Sequence, residues 1–406
     1  MEGVAKRSPL RPLTGLRFLA AILVVIGHYL FYFAQTDKQI QRGGPAGFNI
    51  FVHHAVGVDL FFILSGFILT YNYFDPSGGL RGRRRDFWIA RIARIYPVYL
   101  LGLAFDLARL MEQSHHSFKG LIVSGMVHPL LLQAWVPSVL DSTGGWDPPS
   151  WSISDEALFY LLFPLLLLAL GRLSLRLLPA VAAFSWLISI AIPAVLIMIG
   201  THLLGDGHAD PWWLGRLLYY NPLLRLPEFV LGMGIGLLFL NRTTATRPAR
   251  APRPRLPAIT SLVSIPVLLL VLAVHYPFPS EYPVDFIFGP VLAVLIFSLA
   301  YNRGPVAYLL SSSLLVLLGE ASYAVYIFHW PIWYWTTRVN TSLLHLPTSS
   351  PELGVIYFFL VIALSILSFL FIERPARAAI KARFARAQQP GAGVAYQKGS
   401  IAPGHM

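Results

Sequence analysis

Residues 13–34, LTGLRFLAAILVVIGHYLFYFA, are long and apolar enough to cross a membrane as one helix. A bilayer core of about 30 Å is crossed by roughly 20 apolar residues, and a helix satisfies its own backbone hydrogen bonds within lipid. Comparable apolar stretches follow at 56–74, 96–110, 119–136, 152–170, 177–200, 217–240, 256–275, 284–301, 313–336 and 353–373. These stretches predict an all-α fold, a polytopic transmembrane helical bundle.

The composition is that of a membrane protein. Of the 406 residues, 56% are hydrophobic and 12% are charged, whereas a soluble domain has about 25% charged residues. The chain contains no cysteine, which excludes disulfides, thiolate metal sites and a cysteine acyl-enzyme. The net charge of +12 comes largely from arginines in short loops beside apolar stretches. We therefore attribute it to the positive-inside bias of membrane proteins and expect no nucleic-acid partner.

The basic loops predict the number and direction of the crossings. The arginine-rich segments 81–94, 242–255 and 374–386 should all face the cytoplasm, so an even number of crossings separates each from the next. Residues 96–136 must then supply one net crossing, as a long or broken helix with an interfacial piece. We expect about ten spans in the cytoplasmic (inner) membrane, with both termini in the cytoplasm.

The same reasoning divides the chain into segments. Residues 1–12 are predicted to be a cytoplasmic N-terminal segment, and residues 13–377 the membrane domain, which contains a flexible cytoplasmic loop at 241–255. Residues 378–406 are predicted to be a cytoplasmic tail without a fixed structure. The turn-rich segment 141–151, DSTGGWDPPSW, should lie on the outer side.

Arg17 and His28 are the first candidate functional residues. They lie eleven residues apart in the first span, which places them on one helix face, roughly 16 Å apart along the axis. Ionisable groups inside a span are costly and mark functional sites, and a neutral imidazole is suited to accept a hydroxyl proton. The alternative is an arginine that extends to the membrane surface and a histidine bonded to a neighbouring helix.

Arg91 and Arg94, in FWIARIARIYP at 87–97, share one face of a helix at its cytoplasmic end. Guanidinium groups suit phosphate oxygens, and coenzyme A is a cytoplasmic molecule with several phosphates. An ordinary positive-inside anchor is the alternative, and charge alone favours it.

The segment WSISDEALFYLLFP at 151–164 has two adjacent acids beside a tryptophan. Ser154 is a candidate helix cap, with Asp155 and Glu156 in the first turn of that helix. The favourable position of an acid at the start of a helix accounts for one of the two. The other is a candidate for catalysis or for acceptor binding.

Other candidates are weaker when taken singly. Arg225 and Glu228 are three residues apart, so they could simply pair with each other. His329 lies deep in a span before a proline. The segment 57–67 places Asp59 in a span, and its glycines, Gly57 and Gly66, could simply allow close helix packing. No histidine has a spacing typical of a metal site.

Seven segments, in this order, resemble the acyltransferase 3 family of integral-membrane O-acyltransferases. They are LTGLRFLAAILVVIGH (13–28), GVDLFFILSGFILT (57–70), FWIARIARIYP (87–97), WSISDEALFYLLFP (151–164), RLPEFVLGM (225–233), SYAVYIFHWP (322–331) and FIERP (371–375). The resemblance covers nearly the whole chain. It implies a ten-helix membrane domain that transfers an acyl group, commonly acetyl, from cytoplasmic acyl-CoA.

The resemblance also implies roles for particular residues. The arginine and histidine of the family's signature fall on Arg17, as a donor-side contact, and on His28, as the catalytic residue. Its arginine pair falls on Arg91 and Arg94, and the acid of its tryptophan–serine motif falls on Glu156.

Together these observations predict a mechanism. Arg17, Arg91 and Arg94 bind the donor, His28 is the general base, and Glu156 orients His28 or binds the acceptor. Trp151, Asp155, Glu228 and His329 are predicted to bind the acceptor. The acceptor is a hydroxyl-bearing glycan, glycolipid or natural product, and acyl-CoA is a co-substrate, with no permanently bound cofactor or metal. The rival hypotheses are a sugar or lipid transporter (a flippase) and a non-catalytic sensor or scaffold.

Overall fold

The computed structural model describes residues 7–33, 49–77, 79–113, 118–136, 146–208, 217–244, 255–274 and 285–386. This part of the chain is almost entirely helical and contains one two-stranded hairpin, in which Phe74–Asp75 (β1) pairs with Gly79–Leu80 (β2).

The helices are numbered in chain order. They are α1 Arg11–His28, α2 Asn49–Val52, α3 Val56–Tyr73, α4 Arg84–Gln113, α5 Phe118–Val127, α6 Trp151–Gly171, α7 Leu178–His208, α8 Pro222–Thr244, α9 Leu256–Ala273, α10 Gly289–Leu299, α11 Pro305–Leu310, α12 Ser313–Val339, α13 Pro351–Ser368 and α14 Arg374–Arg386. Short 3-10 turns cover Gln133–Trp135, Pro148–Ser150 and Asp285–Phe288, and π-helical turns cover Tyr29–Phe33, Asn340–Leu344 and Phe369–Glu373.

The number of membrane-crossing helices agrees with the prediction. Among the described residues, nine helical segments are long and apolar enough to cross a bilayer, and the shorter apolar helix α10 is a tenth candidate. The segment 96–136, predicted to cross once, contains the end of the long helix α4 followed by the short helix α5. The all-α polytopic bundle is therefore confirmed, while the direction of the termini stays a prediction.

One end of the bundle carries a concentration of arginines. Arg7, which precedes α1, donates hydrogen bonds to the carbonyls of Tyr71 and Phe74 at the end of α3. At the same end, α14 packs against the first turns of α4, with the Arg85 guanidinium 5.9 Å from the ring of Phe384. We call this the arginine-rich end, and the positive-inside rule predicts that it faces the cytoplasm.

Two helices extend past predicted segment boundaries, and the predicted segments themselves stay predictions. Helix α8 continues to Thr244, inside the predicted flexible loop 241–255, and α14 continues to Arg386, inside the tail predicted to lack structure. Helix α14 is ordered because it packs on α4. Residues 245–254 and 387–406 lie outside the described part of the chain.

Glycines bring the central helices into backbone contact, as one reading of the sequence predicted. A Cβ on Gly66 of α3 would overlap the carbonyl of Phe229 in α8, and one on Gly232 would overlap the carbonyl of Ile63 in return. A Cβ on Gly319 of α12 would likewise overlap a carbonyl of α1. Small residues permit this close approach between membrane helices. Helices α1, α3, α8 and α12 consequently form a tightly packed centre.

A polar cluster precedes α6 at the other end of the bundle. Asp147 is fully buried in a left-handed backbone conformation (φ 50°), and neither of its carboxyl oxygens has a hydrogen-bond partner. Its N–H donates to Asp106 at 2.7 Å, and Asp106 forms an ion pair with Arg109 at 2.6 Å. Burial, and secondarily the neighbouring Asp106 carboxylate, raise the pKa of Asp147 well above its ordinary value.

We expect the raised pKa of Asp147 to make stability depend on pH. The buried acid holds its proton at pH values at which the unfolded chain releases one, so the folded state loses stability as the pH rises above about 4. Melting temperatures of the detergent-purified protein between pH 5 and 8 should therefore fall less in Asp147→Asn than in wild type. Asn retains the left-handed conformation.

Asp75 provides a control, because its pKa is shifted in the opposite direction from that of Asp147. Hydrogen bonds from the backbone and side chain of Ser77 lower its pKa, so the Asp75→Asn variant should not flatten the curve. A pH dependence that is the same in Asp147→Asn and in wild type would contradict the expectation.

Candidate active site

A polar cavity of about 230 Å³ lies inside the bundle, between α1, α3, α4, α6, α12 and α14. A second cavity of about 400 Å³ adjoins it at Arg17, Ile68 and Asn72 and extends to Arg7 and Tyr71 at the arginine-rich end. The polar residues that line the first cavity are Arg17, Ser65, Asn72, Arg91, Arg94, Ser152, Glu156, Tyr160, Ser322, Tyr323, Tyr326 and Arg377. Together the two cavities therefore give a polar molecule a path from the arginine-rich end into the bundle.

The three predicted donor-binding residues all line the first cavity. Arg17, from α1, interacts electrostatically with Arg94 and Arg91 of α4 and with Glu156 of α6. Arg91 is held by aromatic rings, with its guanidinium 5.6 Å from the ring centre of Tyr73. Like charges held together inside a membrane protein are costly unless anions offset them, so this arrangement is suited to an anionic ligand.

Glu156 belongs to the arginine group. Its carboxylate accepts a hydrogen bond from Tyr160 at 2.9 Å and interacts electrostatically with Arg94 and Arg17. The sequence suggested that Glu156 orients His28 or binds the acceptor, and that role stays a prediction. The side chain of His329 is hydrogen-bonded to His28.

His28 belongs to a separate aromatic cluster. Its Nδ1 lies 2.7 Å from Nε2 of His329, and the two rings are stacked with centroids 5.0 Å apart. The rings of His54 and Trp330 are roughly perpendicular to the ring of His28, with their centroids 4.9 Å and 5.5 Å from its centroid. His329 is fully buried, and its Nδ1 lies 2.6 Å from the carbonyl oxygen of Tyr326.

These contacts define the protonation of His28. A carbonyl oxygen only accepts, so Nδ1 of His329 carries a hydrogen, and Nε2 of the neutral ring is an acceptor. Nδ1 of His28 must then donate to it, which leaves the lone pair of the neutral His28 ring on Nε2. His329 therefore fixes the tautomer in which Nε2 of His28 is the basic atom.

Residues that line the cavity lie within about one helical turn of His28, which is not itself among them. Val58 lines the cavity, and the neighbouring Gly57 packs against Ala20 and Val24 of α1. His28 lies four residues beyond Val24, about 6 Å along the helix. Tyr326 connects the two regions, because its side chain lines the cavity and its carbonyl accepts from His329.

The other predicted acceptor-binding residues lie in the core instead. Asp155 and Trp151 are buried on a different face of α6 from Ser152 and Glu156, which line the cavity. Helix α6 starts at Trp151, so Ser154 is not its cap as predicted and instead donates to the carbonyl of Leu131 at 2.6 Å. The two acids are consequently beyond the first turn.

Trp151, Asp155 and Glu228 surround Arg225, which is fully buried. Its Nη1 lies 2.8 Å from Glu228 and 2.9 Å from Asp59, and its guanidinium is 5.4 Å from the Trp151 ring. The predicted Arg225–Glu228 pair is thus present, with Asp59 as an additional partner. An acceptor role for these residues does not follow from the geometry, which is that of a structural ion cluster.

Family comparison decides what kind of protein contains this cavity. A family model described as an acyltransferase domain matches residues 12–370. The chain belongs to the acyltransferase 3 family. Six of the seven resembling segments lie within the matched range, and the seventh, FIERP, begins at residue 371, directly after it. The arginine cavity and the histidine cluster are therefore both features of a member of this family.

Curated relatives agree with the family assignment. "Acyltransferase MdmB" of Streptomyces mycarofaciens is 30% identical over 79% of this chain and 78% of its own length. "Putative peptidoglycan O-acetyltransferase YrhL" of Bacillus subtilis (strain 168) is 26% identical over 90% of this chain, and a Staphylococcus aureus (strain COL) protein named "Putative O-acetyltransferase" is 25% identical over 93%. The matches span 54% and 59% of those two longer proteins. No solved structure matches significantly.

Sequence reasoning missed several residues that line the cavity. Tyr160 and Tyr326 occur in motifs chosen for other residues, and Arg377 follows Glu373 by one helical turn beyond the last predicted span. Their arrangement depends on which helix faces meet, which hydropathy does not report.

Proposed function

We propose that this protein is a membrane O-acyltransferase that moves an acyl group, in the simplest case acetyl, from acyl-CoA to a hydroxyl of a glycan, glycolipid or glycosylated natural product. The observation that carries the proposal is the arginine-lined cavity that extends from the arginine-rich end toward His28, in a chain of the acyltransferase 3 family. The names of the relatives support transfer to oxygen.

The donor occupies the cavity. The phosphates of coenzyme A lie against Arg17, Arg91 and Arg94, because charge-assisted bonds from guanidinium to phosphate are strong and directional. The pantetheine arm extends past Tyr326 toward His28. The arginine-rich end is the cytoplasmic end in this proposal, as the positive-inside rule predicts.

The acceptor hydroxyl meets Nε2 of His28 from the opposite side. Nε2 takes the hydroxyl proton while the oxygen attacks the thioester carbonyl. The carbon–sulfur bond then breaks, the leaving thiolate takes the proton from His28, and free coenzyme A and the ester result. His329 holds His28 in the reactive tautomer throughout.

A direct test supplies the purified protein with acetyl-CoA labelled in the acetyl group, together with cell-envelope glycans and lipids. Label recovered in an alkali-labile product supports O-acyl transfer. A transporter or scaffold of the same fold gives no labelled product. Mass spectrometry of envelope glycans and culture metabolites, with and without the gene, would identify the acceptor.

We expect Arg91→Gln and Arg94→Gln each to raise the KM for acetyl-CoA by about tenfold or more, because each removes a charged hydrogen-bond donor to phosphate. The rate of thiol release, measured against donor concentration, gives both KM and kcat. Arg84→Gln, an exposed arginine at the start of the same helix, is the matched control. A donor KM unchanged in both cavity variants would refute the phosphate assignment.

A further inference from the structure

Helix α14 closes the cavity at the arginine-rich end, although it lies beyond the apolar part of the last span. Its residue Arg377 lines the cavity together with Arg17, Arg91 and Arg94. The helix is held in place on α4, where Arg85 stacks on Phe384.

Arg377 is partly exposed and held by one carboxylate. Its side chain is 28% exposed, and its Nη1 lies 3.0 Å from the fully buried carboxylate of Glu373. Glu373 also interacts electrostatically with Arg94. The pair therefore stands between the cavity and the surface, and Arg377 has a donor face open to a ligand.

The four arginines exceed the nearby carboxylates. Glu156 is the only carboxylate that lines the cavity in the described part of the chain. Glu373 is paired with Arg377, and Glu320 interacts electrostatically with Arg94 and Arg377, so three carboxylates face four arginines. The remaining positive charge and the guanidinium hydrogen-bond donors favour an anionic ligand, and coenzyme A carries phosphate at two places along its length.

The order of the arginines along the cavity indicates which phosphate of coenzyme A each of them contacts. The thioester is at one end of coenzyme A, the diphosphate is in the middle, and the 3′-phosphate of the adenosine is at the other end. Arg17, Arg91 and Arg94 lie within α1 and α4, between His28 and the arginine-rich end, whereas Arg377 is on the helix that closes that end. Arg377, on the helix that closes the arginine-rich end, is thus suited to the phosphate at the end of coenzyme A that is remote from the thioester.

We propose that Arg377 binds the 3′-phosphate of coenzyme A, so that α14 forms the adenosine end of the donor site and selects coenzyme A over carriers that lack this phosphate. This inference rests on the proposed function. It gives the C-terminal helix a role in donor specificity that is separate from the diphosphate contacts.

Binding of coenzyme A and of 3′-dephospho-coenzyme A to the detergent-purified full-length protein, measured by calorimetry, tests the proposal without knowledge of the acceptor. Wild type should bind coenzyme A at least about tenfold more tightly than the dephospho form, since a charged hydrogen-bonded contact is at stake. Arg377→Gln should remove that difference by weakening coenzyme A alone. Arg377→Lys should keep part of it.

Arg383→Gln is the matched control, because Arg383 is exposed on the same helix, and it should preserve the wild-type ratio. An Arg377→Gln variant that retains the full preference, or that weakens both ligands equally, overturns the role of Arg377. Wild-type protein that binds neither ligand overturns the acyl-CoA donor itself, so the two failures are distinguishable. A single symmetric peak in gel filtration and an unchanged melting temperature show that each variant is folded.

Discussion

Replacing His28 with alanine should lower the rate of acyl transfer by about 10² to 10⁴-fold, the usual contribution of a general base. Binding of coenzyme A should change little, because this residue is not among those that line the cavity. Rates of labelled acetyl transfer and calorimetric affinities for coenzyme A, measured on the same preparation, separate the two effects. A variant that turns over as fast as wild type would remove the base from the mechanism.

Three further variants make the histidine result specific. His345→Asn changes an exposed histidine in a left-handed turn after α12, and the rate should be unaffected. His329→Leu removes the acceptor for Nδ1–H of His28, and the rate should fall although this side chain does not touch the donor in the proposal. His329→Gln, which can both donate to a carbonyl and accept from His28, should recover part of the loss. Equal losses in His329→Leu and His329→Gln would indicate a packing role alone.

Replacing Arg225 should have the largest effect on stability. The Arg225→Gln variant removes the buried guanidinium that is paired with the buried carboxylates of Asp59 and Glu228. Removing one member of a buried ion pair costs about 3–5 kcal/mol, which corresponds to a fall of about 10 °C in melting temperature. Light scattering during heating in detergent measures this change.

The charge argument has its own control. A triple variant, Arg225→Gln with Asp59→Asn and Glu228→Gln, removes all three charges at nearly constant volume, so it should be more stable than Arg225→Gln alone. If the single variant melts at the wild-type temperature, or if the triple variant is the less stable of the two, the ion cluster is not what holds α3 to α8.

The spans and the arginines that line the cavity could be predicted from the sequence, because each depends on information local to one helix. Runs of apolar residues report length, and the spacing of Arg91 and Arg94 places them on one face. Contacts between helices carry no such local signal. His28 and His329 are 301 residues apart in the chain, and nothing in either motif indicates that the two rings stack.

The two acids of α6 show how a small error in a helix boundary changes a functional assignment. Ser154 resembled a cap, which placed Asp155 and Glu156 together at a membrane face. The helix instead begins at Trp151, after Pro148 and Pro149 in a 3-10 turn. In the body of a helix adjacent residues point about 100° apart, so one acid faces the cavity and the other the core.

Helix α1 is held in position at two points along its length. Near its start, the α1 backbone contacts the carbonyl of Leu310, which a Cβ on Gly15 would overlap. Near its end, the α1 backbone contacts the side chain of His54 at Gly27. The interval of roughly 16 Å between Arg17 and His28 is therefore fixed. In the proposed mechanism, a donor anchored by its phosphates brings its reactive carbonyl to the imidazole only if the chain between the two groups spans that interval. The distance along α1 would then select the length of the donor.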